Sequence, residues 1–173
     1  MSESISARSQ IRPMVQADLD IVLAWRNHAE VRRYMWTRHE IRPDEHQRWF
    51  ERAVSDSNKH LLIFEVNRQP LGFANFTATG RGGIAEWGFY AAPDAPRGTG
   101  RQLGCSALNH AFTKLDLHKV CGQVLAYNVR SIHFHKSLGF QQEGILRDQH
   151  FDGERFHHVI CFGLLSLEWQ PIP

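Results

Sequence analysis

Residues 85–115, AEWGFYAAPDAPRGTGRQLGCSALNHAFTKL, join three local patterns in a fixed order. The first six residues are short, aromatic and alternating, which predicts a strand. After two prolines, Gly98 and Gly100 provide flexible positions at which the backbone can turn its N–H groups toward one point. Apolar residues at helical spacing from Leu103 to Leu115 then predict that this turn opens directly into a helix.

A helix that begins at a glycine-rich turn offers an anion-binding site. Its first N–H groups lack partners and its dipole is positive at that end, so they attract a phosphate or pyrophosphate. The dinucleotide fingerprint is excluded because its third glycine would fall at Leu103, and the P-loop is excluded because no Gly-Lys-Ser/Thr follows. Residues 97–102, RGTGRQ, instead resemble the pyrophosphate loop Gln/Arg-x-x-Gly-x-Gly/Ala of the GNAT acyl-CoA N-acetyltransferases, with Gln102 at the last position.

Length, charge and cysteine content exclude several classes of protein. The 173 residues fit one domain, which would bury roughly 70% of the surface of the unfolded chain. The formal net charge of +2 is too small, and the Lys and Arg are too dispersed, for a nucleic-acid footprint. The three cysteines form no C-x-x-C pair, which favours reduced core thiols over a zinc or redox site and suits a cytoplasmic protein.

No segment of the sequence predicts export or membrane insertion. There is no apolar run of the ~18 residues that a membrane span needs. The stretch from Met1 to Gln10 is polar and serine-rich, unlike a signal peptide. We therefore expect no membrane partner, a flexible segment at residues 1–10, and a single domain at residues 11–170.

A second motif, NVRSIHFHKSLGF at residues 128–140, supports the same family. Asn128 is a good N-cap for a short helix, and Gly139 is the residue expected just past its C-terminus. Asn-x-x-Ser-Ile followed by Leu-Gly-Phe is similar to a GNAT signature. The predicted order β-α-α-β-β-β-α-β-α-β-β also resembles the GNAT fold over nearly the whole chain. This resemblance implies an α/β (α+β) fold, a mixed and mostly antiparallel sheet of about seven strands flanked by about four helices.

The predicted sheet is built largely from hairpins. The first strand is expected at Ile11 to Met14. Turns are expected at Asn67 to Pro70 and at Gly80 to Gly83. Asp152-Gly153 is a pair that favours a two-residue type I′ turn, which we expect between the last two strands.

The resemblance implies acetyl-CoA as co-substrate and no metal. In GNAT enzymes the glycine loop and the helix start bind the pyrophosphate. The strand before the loop splays from the next strand to admit the pantetheine. The residues implied here are Trp87, Gly88, Phe89, Tyr90, Arg97, Gly98, Thr99, Gly100, Arg101, Gln102 and Asn128.

His135 stands where many members of the family have a catalytic tyrosine. That tyrosine lies four residues before the final glycine and donates a proton to the departing CoA thiolate. A histidine near its ordinary pKa is partly protonated at neutral pH, so His135 would serve as the acid. A surface histidine in an enzyme that needs no acid is the equal alternative. His133 and His135 point to different faces of a helix, which excludes a metal pair.

The N-terminal half places large apolar side chains beside cations. One interpretation puts these side chains in a helical core. The other makes them a flat slot, with Arg26 and His46 at its edge, for a planar base and its phosphates. We expect about half of them in the core. The side chains concerned are Trp25, Met35, Trp49 and Phe50.

The same stretch is similar to a subgroup of GNAT enzymes that act on nucleotide sugars. The shared features are Arg-Asn-His, a Met-aromatic pair, and a later His with an aromatic three residues on. The resemblance extends to N-acetyltransferases of pseudaminic acid biosynthesis, in flagellin glycosylation, that act on UDP-4-amino-4,6-dideoxy-N-acetyl-β-L-altrosamine. It implies that Arg26 and His46 hold the phosphates or uridine. The uracil or sugar pocket would be lined by Met35, Trp36 and Trp49.

Direct transfer within a ternary complex is the expected mechanism, because none of the cysteines sits in a motif that pairs it with a base. Glu86, on the strand beside the thioester, would accept the proton of the amine through water. A backbone N–H of Gly88 to Tyr90 would hold the developing oxyanion. A solvated carboxylate at the strand edge is the alternative for Glu86.

Two other functions stay open at this point. Relatives of similar length acetylate protein N-termini or ribosomal proteins. A peptide substrate needs an open and often acidic groove, however, whereas this N-terminal half is basic and aromatic. A non-catalytic CoA-binding protein is the other alternative, since Gln102 and the missing tyrosine permit it. The sequence does not fix the oligomeric state, a homodimer included.

Overall fold

The computed structural model describes residues 8–171. The strands are β1 (Ser9–Pro13), β2 (Lys59–Val66), β3 (Gln69–Ala78), β4 (Ile84–Ala91), β5 (Lys119–Leu125), β6 (Gln141–Phe151) and β7 (Phe156–Leu165). The helices are α1 (Leu19–Asn27), α2 (Ala29–Arg32), α3 (Pro43–Val54), α4 (Thr99–Thr113) and α5 (Val129–Ser137), with a 3-10 turn at Gln16–Asp18. The strands form one seven-stranded sheet in the order β1-β2-β3-β4-β5-β7-β6. Only the neighbours β4 and β5 are parallel within residues 8–171.

The predicted elements are present, with shifts at their ends. All seven strands and the four predicted helices are found, and the mixed, mostly antiparallel sheet is confirmed. The additional helix α2 is a single turn of four residues, too short to show a hydrophobic period. β1 begins at Ser9, so Ser9 and Gln10, the last two residues of the predicted flexible segment, pair with β2. Residues 1–7 of that segment lie outside the described residues.

The connection of β2 to β3 follows the predicted position but is tighter. Asn67 and Arg68 form it, and both have positive φ, 51° and 67°, as a two-residue hairpin turn requires. Pro70 lies inside β3 opposite Glu65 instead of in the turn. The register shifts there by one residue, and such a bulge is a place where a strand tolerates proline.

Side chains of the sheet alternate between two separate hydrophobic cores. On one face, Phe76 and Trp87 pack under α4. On the other face, Phe73 and Tyr90 pack with α1 and α3. Leu108 and the other inward positions of α4 are completely buried, as its helical spacing predicts. No helix within residues 8–171 combines the length and the apolar character needed to cross a bilayer.

The strands β4 and β5 pair over only three residues each, Ile84 to Glu86 against Lys119 to Cys121. Beyond this point β4 stays paired with β3 as far as Ala91, and β5 stays paired with β7 as far as Leu125. The two strands therefore diverge from Trp87 onward. We call the opening between residues 87–91 and 122–125 the β4–β5 gap, and it is the splay that the family resemblance implied.

The hairpin of β6 and β7 is confirmed, but the predicted two-residue turn is wrong. Four residues, Asp152 to Arg155, connect the strands. The Asp152 carboxylate accepts hydrogen bonds from the N–H groups of Glu154 and Arg155, both at 2.9 Å. The aspartate side chain thus builds a wider turn than the Asp-Gly pair alone indicates. The N–H of Arg155 and the ring of His157 hold the pKa of Asp152 well below its usual range.

Gly139 occupies the predicted position just past α5, with a φ of 92°. We expect Gly139→Ala to lower the free energy of unfolding by about 1 kcal/mol, because alanine is strained in the left-handed region. Space is not the cause, since an added Cβ would meet only Leu164, at 3.8 Å. Urea unfolding followed by circular dichroism measures the effect. Gly144→Ala is the matched control, because an added Cβ there meets no atom within 4 Å. An equal loss in both variants would contradict the explanation.

Candidate active site

Backbone alternation aims every second N–H of β4 into the β4–β5 gap. The Gly83 carbonyl accepts two N–H groups from the start of β5, whereas the Ile84 carbonyl accepts from Thr79 beside β3. Because both backbone groups of a strand residue point to the same edge, odd-numbered residues of β4 face β5. The N–H groups of Phe89 and Ala91 therefore point into the gap, where β5 has moved away.

The glycine loop leads from the end of β4 into α4. Gly98 has a φ of 95° and is the N-cap residue of the helix. An added Cβ at Gly98 or Gly100 would meet no atom within 4 Å. Neither of their N–H groups donates to an acceptor among the described residues 8–171. Two N–H groups at the positive end of α4 are therefore open to an anion.

The other residues predicted to bind acetyl-CoA differ in what they offer. Thr99 is buried, and its hydroxyl donates to the Pro96 carbonyl at 2.7 Å, so it closes the turn. Asn128 caps α5, because its side-chain oxygen accepts from the N–H of Ser131 at 3.1 Å. The exposed side chains of the loop are Arg97, Arg101 and Gln102.

His135 lies where β4 and β5 diverge, and it is only 2% exposed. Its Nε2 accepts a hydrogen bond from the indole N–H of Trp87 at 3.1 Å. Its Nδ1 lies 2.8 Å from the Ser131 carbonyl. The ring stacks on Phe162, with the centroids 5.1 Å apart. An added Cβ at Gly122 would lie 2.6 Å from Nε2, so glycine at this position of β5 makes room for the ring.

These contacts make His135 a poor proton donor. The Ser131 carbonyl can only accept, so Nδ1 carries the proton, and the lone pair of Nε2 is engaged by Trp87. Burial lowers the pKa of His135 to about 4, so the ring is neutral at neutral pH. Both sequence-based interpretations need correction. His135 is not at the surface, and a neutral ring with both nitrogens hydrogen-bonded does not fit the predicted general acid.

Gly88 and Tyr90 face the α1–α3 side of the sheet, although both were predicted to bind acetyl-CoA. Tyr90 packs on Phe73 with a centroid distance of 5.2 Å. Burial raises the pKa of the Tyr90 hydroxyl, and the Arg26 guanidinium is the charge that opposes this shift. An added Cβ at Gly88 would lie 2.6 Å from the side-chain oxygen of Asn75. Tyr90 therefore lies on the α1–α3 side of the sheet instead of at the pyrophosphate loop.

Glu86 is the last residue of β4 that pairs with β5, opposite Cys121. Its carboxylate is exposed and accepts a hydrogen bond from the Gln123 amide at 3.2 Å. Strand alternation puts it on the same face as Tyr90. This position borders the gap, which suits a base that acts through water, but it equally suits a solvated carboxylate. The catalytic role of Glu86 stays a prediction.

Two buried nitrogen atoms on the α1–α3 side have no hydrogen-bond partner within residues 8–171, Nη1 of Arg26 and Nε2 of His46. Arg26 uses its Nη2 to donate to the Thr37 carbonyl at 2.8 Å. His46 stacks on Trp49, with the ring centroids 4.9 Å apart. Burial lowers the pKa of both side chains. An unpaired buried polar group costs about 1–3 kcal/mol, so two of them on neighbouring helices mark a place where a ligand would supply partners.

The large apolar side chains of the N-terminal half differ in how deeply they are buried. Trp25 and Phe50 are each 6% exposed and belong to the core. Met35 and Trp49 are half-buried, and Trp36 is 48% exposed. The three predicted pocket residues are therefore partly accessible. Trp49 also packs against the core, so the role of Met35, Trp36 and Trp49 in a slot stays a prediction.

The sequence analysis missed side chains that lie against residues 33–42, which we call the α2–α3 segment. Arg38 approaches the Asp152 carboxylate at 3.6 Å. Trp36 meets the ring of His150 edge-on, with the centroids 5.2 Å apart. The partners lie on the β6–β7 hairpin, more than a hundred residues further along the chain. No local pattern joins them, and the Asp-Gly pair of the turn was the one usable signal.

Comparison with known proteins agrees with this geometry. A family model described as Acetyltransferase (GNAT) domain matches residues 8–141, well over half of the chain. The chain belongs to the GNAT acetyltransferase family. Enzymes of this family use acetyl-CoA, and the prediction of an N-acetyltransferase is confirmed. Family membership also disfavours the non-catalytic alternative.

Several relatives are similar to this GNAT chain over most of its length. It is 28% identical over 150 residues to the acetyltransferase PseH of Campylobacter jejuni, which covers 83% of this chain and 85% of that protein. It is 22% identical over 158 residues to the spermidine N(1)-acetyltransferase of Vibrio cholerae, covering 90% and 91%. The similarity to PseH bears out the resemblance to the pseudaminic acid N-acetyltransferase.

Solved structures show the same fold. The spermidine N-acetyltransferase from Vibrio cholerae, solved in complex with CoA and spermine, superposes with a TM-score of 0.85. The alignment covers 92% of this chain and 96% of that one, at 23% identity. Such a likeness establishes the GNAT fold and leaves the acceptor to be argued from the site.

The low pKa of His135 predicts a fold that is sensitive to acid. The folded pKa of about 4 lies below the ordinary value of 6.5, so the unfolded chain binds the proton first as the pH falls. The stabilisation from the neutral ring is complete above pH 6.5 and is lost between pH 6.5 and pH 4, by roughly 3 kcal/mol in all. His135→Gln keeps an acceptor for Trp87. Urea unfolding at several pH values should show that this variant loses less unfolding free energy than wild type as the pH falls through this range.

His118→Gln is the control for this experiment, because His118 is exposed at the start of β5. It should leave the pH dependence of the free energy of unfolding unchanged. An equal loss of unfolding free energy with falling pH in wild type and His135→Gln would contradict the buried neutral state of the ring.

Proposed function

We propose that the protein acetylates the 4-amino group of a UDP-linked 4-amino-4,6-dideoxy sugar, UDP-4-amino-4,6-dideoxy-N-acetyl-β-L-altrosamine, in pseudaminic acid biosynthesis. The observation that carries the proposal is the pair of buried, unpaired nitrogens on Arg26 and His46. Both residues belong to the motif that resembles the nucleotide-sugar enzymes. The diphosphate of a UDP-sugar would offer several oxygen acceptors to these two side chains.

We call the α1–α3 side of the sheet, with Arg26 and His46, the acceptor side. Its charge favours a phosphorylated substrate over a polyamine or a basic peptide. Two of the carboxylates nearby are already engaged, Glu40 at 3.7 Å from Arg32 and Glu45 at 3.1 Å from His39. A third, Asp20, faces His46 and forms no ion pair within residues 8–171. The unpaired guanidinium nitrogen belongs to the cation Arg26. A polyamine would add positive charge at this place, whereas a diphosphate would neutralise it.

The accessible aromatic side chains would take the uracil ring. A planar base stacks readily on a tryptophan face, and Trp36 leaves 48% of its surface exposed. His46 stacks on the ring of Trp49, so the side chain that would contact the phosphates lies beside one that would contact the base. Met35 would fill the space beside the sugar, since an unbranched thioether adapts to irregular shapes.

Acetyl-CoA would lie across the β4–β5 gap and the start of α4. The open N–H groups of Gly98 and Gly100 would bind the pyrophosphate, assisted by Arg97 or Arg101. The N–H groups that β4 directs into the gap would pair with the amides of the pantetheine. The residues present therefore fit this co-substrate.

Placement would supply most of the catalysis in a direct transfer. The N–H of Phe89, which points into the gap, would hold the developing oxyanion. Glu86 would accept the proton of the amine through water. We assign His135 to positioning, because it holds Trp87 beside the gap. A thiolate whose conjugate acid has a pKa of about 8.5 can leave without a proton from this ring.

The glycine loop gives a direct test of the acetyl-CoA site. Gly100→Leu should weaken acetyl-CoA binding about tenfold or more by placing a side chain over the open N–H groups. The melting temperature without ligand should stay close to that of wild type, because nothing lies within 4 Å of an added Cβ. Isothermal calorimetry measures the affinity, and full-strength binding by this variant would show that the site is misplaced.

A substrate panel tests the acceptor. Incubation with acetyl-CoA and UDP-amino sugars, spermidine or peptides, read by mass, should show product on a UDP-4-amino sugar. Arg26→Gln should raise KM for that sugar by about 10–100-fold, the loss of a charge-assisted hydrogen bond. The acetyl-CoA affinity serves as the internal control and should not change. Acetylated peptide or spermidine without acetylated sugar would reverse the assignment.

A further inference from the structure

The β6–β7 hairpin lies against the α2–α3 segment. Arg38 of the α2–α3 segment donates to the hydroxyl of Tyr127, at the end of β5, at 2.9 Å. The same guanidinium approaches Asp152 in the hairpin turn at 3.6 Å. Asp152 in turn holds the ring of His157 on β7. These contacts fix the position of the hairpin relative to the α2–α3 segment.

His150, on β6, carries a third buried nitrogen without a hydrogen-bond partner in the described part of the chain, its Nε2. The ring of His150 meets Trp36 at 5.2 Å with an interplanar angle of 77°. Its cross-strand neighbour His157 is 6.4 Å away and is already engaged by Asp152. Nε2 of His150 is therefore a buried hairpin nitrogen without a partner within residues 8–171, and its ring contacts the exposed ring of Trp36.

The position of His150 is linked to Arg26 through the α2–α3 segment. Arg26 donates to the carbonyl of Thr37, the residue after Trp36. The α2–α3 segment therefore contacts Arg26 of α1 through Thr37 and His150 of the hairpin through Trp36, at two consecutive residues. The three unpaired nitrogens within residues 8–171 come from α1, α3 and β6, elements that are distant in sequence.

We propose that His150 is a specificity-determining residue whose Nε2 forms a hydrogen bond with a hydroxyl group of the acceptor sugar. The inference rests on the proposed function. No hydrogen bond to His150 within residues 8–171 fixes its tautomer, and a hydroxyl can either donate to the ring or accept from it. In the proposed function Arg26 and His46 bind the diphosphate at the centre of the nucleotide sugar, and the uncharged acceptor sugar attached to it would lie toward the hairpin.

The experiment compares three ligands, the UDP-amino sugar, UDP alone and acetyl-CoA, on four proteins, wild type, His150→Phe, His150→Gln and the control His118→Phe. His150→Phe keeps the ring against Trp36 and removes the nitrogen, and His150→Gln restores a polar group. Calorimetry with UDP-4-amino-4,6-dideoxy-N-acetyl-β-L-altrosamine should show binding about threefold to tenfold weaker for His150→Phe. Binding of UDP alone and of acetyl-CoA should not change. His150→Gln should recover part of the loss.

Each outcome decides between a ligand contact and a purely structural role. Equal sugar binding by wild type and His150→Phe would overturn the inference and leave the proposed function intact. Weaker binding of both UDP and the sugar would assign His150 to support of Trp36 and would also overturn it. If wild type binds neither ligand, the proposed function fails, and the sugar contact with it. Melting temperatures of the variants show whether each is folded, and His150→Gln gives the answer if His150→Phe is not.

Discussion

The short parallel pairing of β4 with β5 is the constraint on which the rest of the structure depends. Three residue pairs join the two halves of the sheet before the strands part. β4 stays paired with β3, and β5 stays paired with β7, so the opening breaks no pairing on the outer edges of the two strands. The inner edge of β4 is left with N–H groups that no strand within residues 8–171 satisfies. A sheet built this way holds a slot for an extended ligand in its centre.

Packed side chains cover the face of the sheet where the slot begins. His135 of α5 lies over β5 at Gly122, and the indole of Trp87 donates to it. Gly122 leaves the space that the ring occupies. A neutral hydrogen-bonded pair is stable inside an aromatic core because both polar atoms are satisfied, whereas a charged imidazole would pay a large desolvation cost. The same contacts that fix the position of the ring therefore disfavour it as a general acid.

The sequence predicted the architecture because its signals are local. The glycine loop, the apolar face of α4, the Asn128 cap and Gly139 each follow from neighbours in the chain. The errors have a different origin. The burial of His135 depends on Gly122 and Phe162 from other strands, and the width of the β6–β7 turn depends on where the Asp152 carboxylate points. Residue type and spacing carry no information about either.

The α1–α3 side shows how a structure can extend a candidate site that a sequence motif marks only in part. The sequence placed Arg26 and His46 at an edge by resemblance, and the structure leaves those two side chains with unpaired buried nitrogens. His150 has the same property but lies on a strand that no sequence pattern connected to them. A folded protein keeps such unsatisfied groups where something other than stability requires them. Arg26 donates to the Thr37 carbonyl and His150 meets the ring of Trp36, so two of the three side chains contact neighbouring residues of the α2–α3 segment. A ligand with a charged diphosphate between two hydroxyl-bearing sugars would supply partners for such side chains better than a uniformly cationic chain.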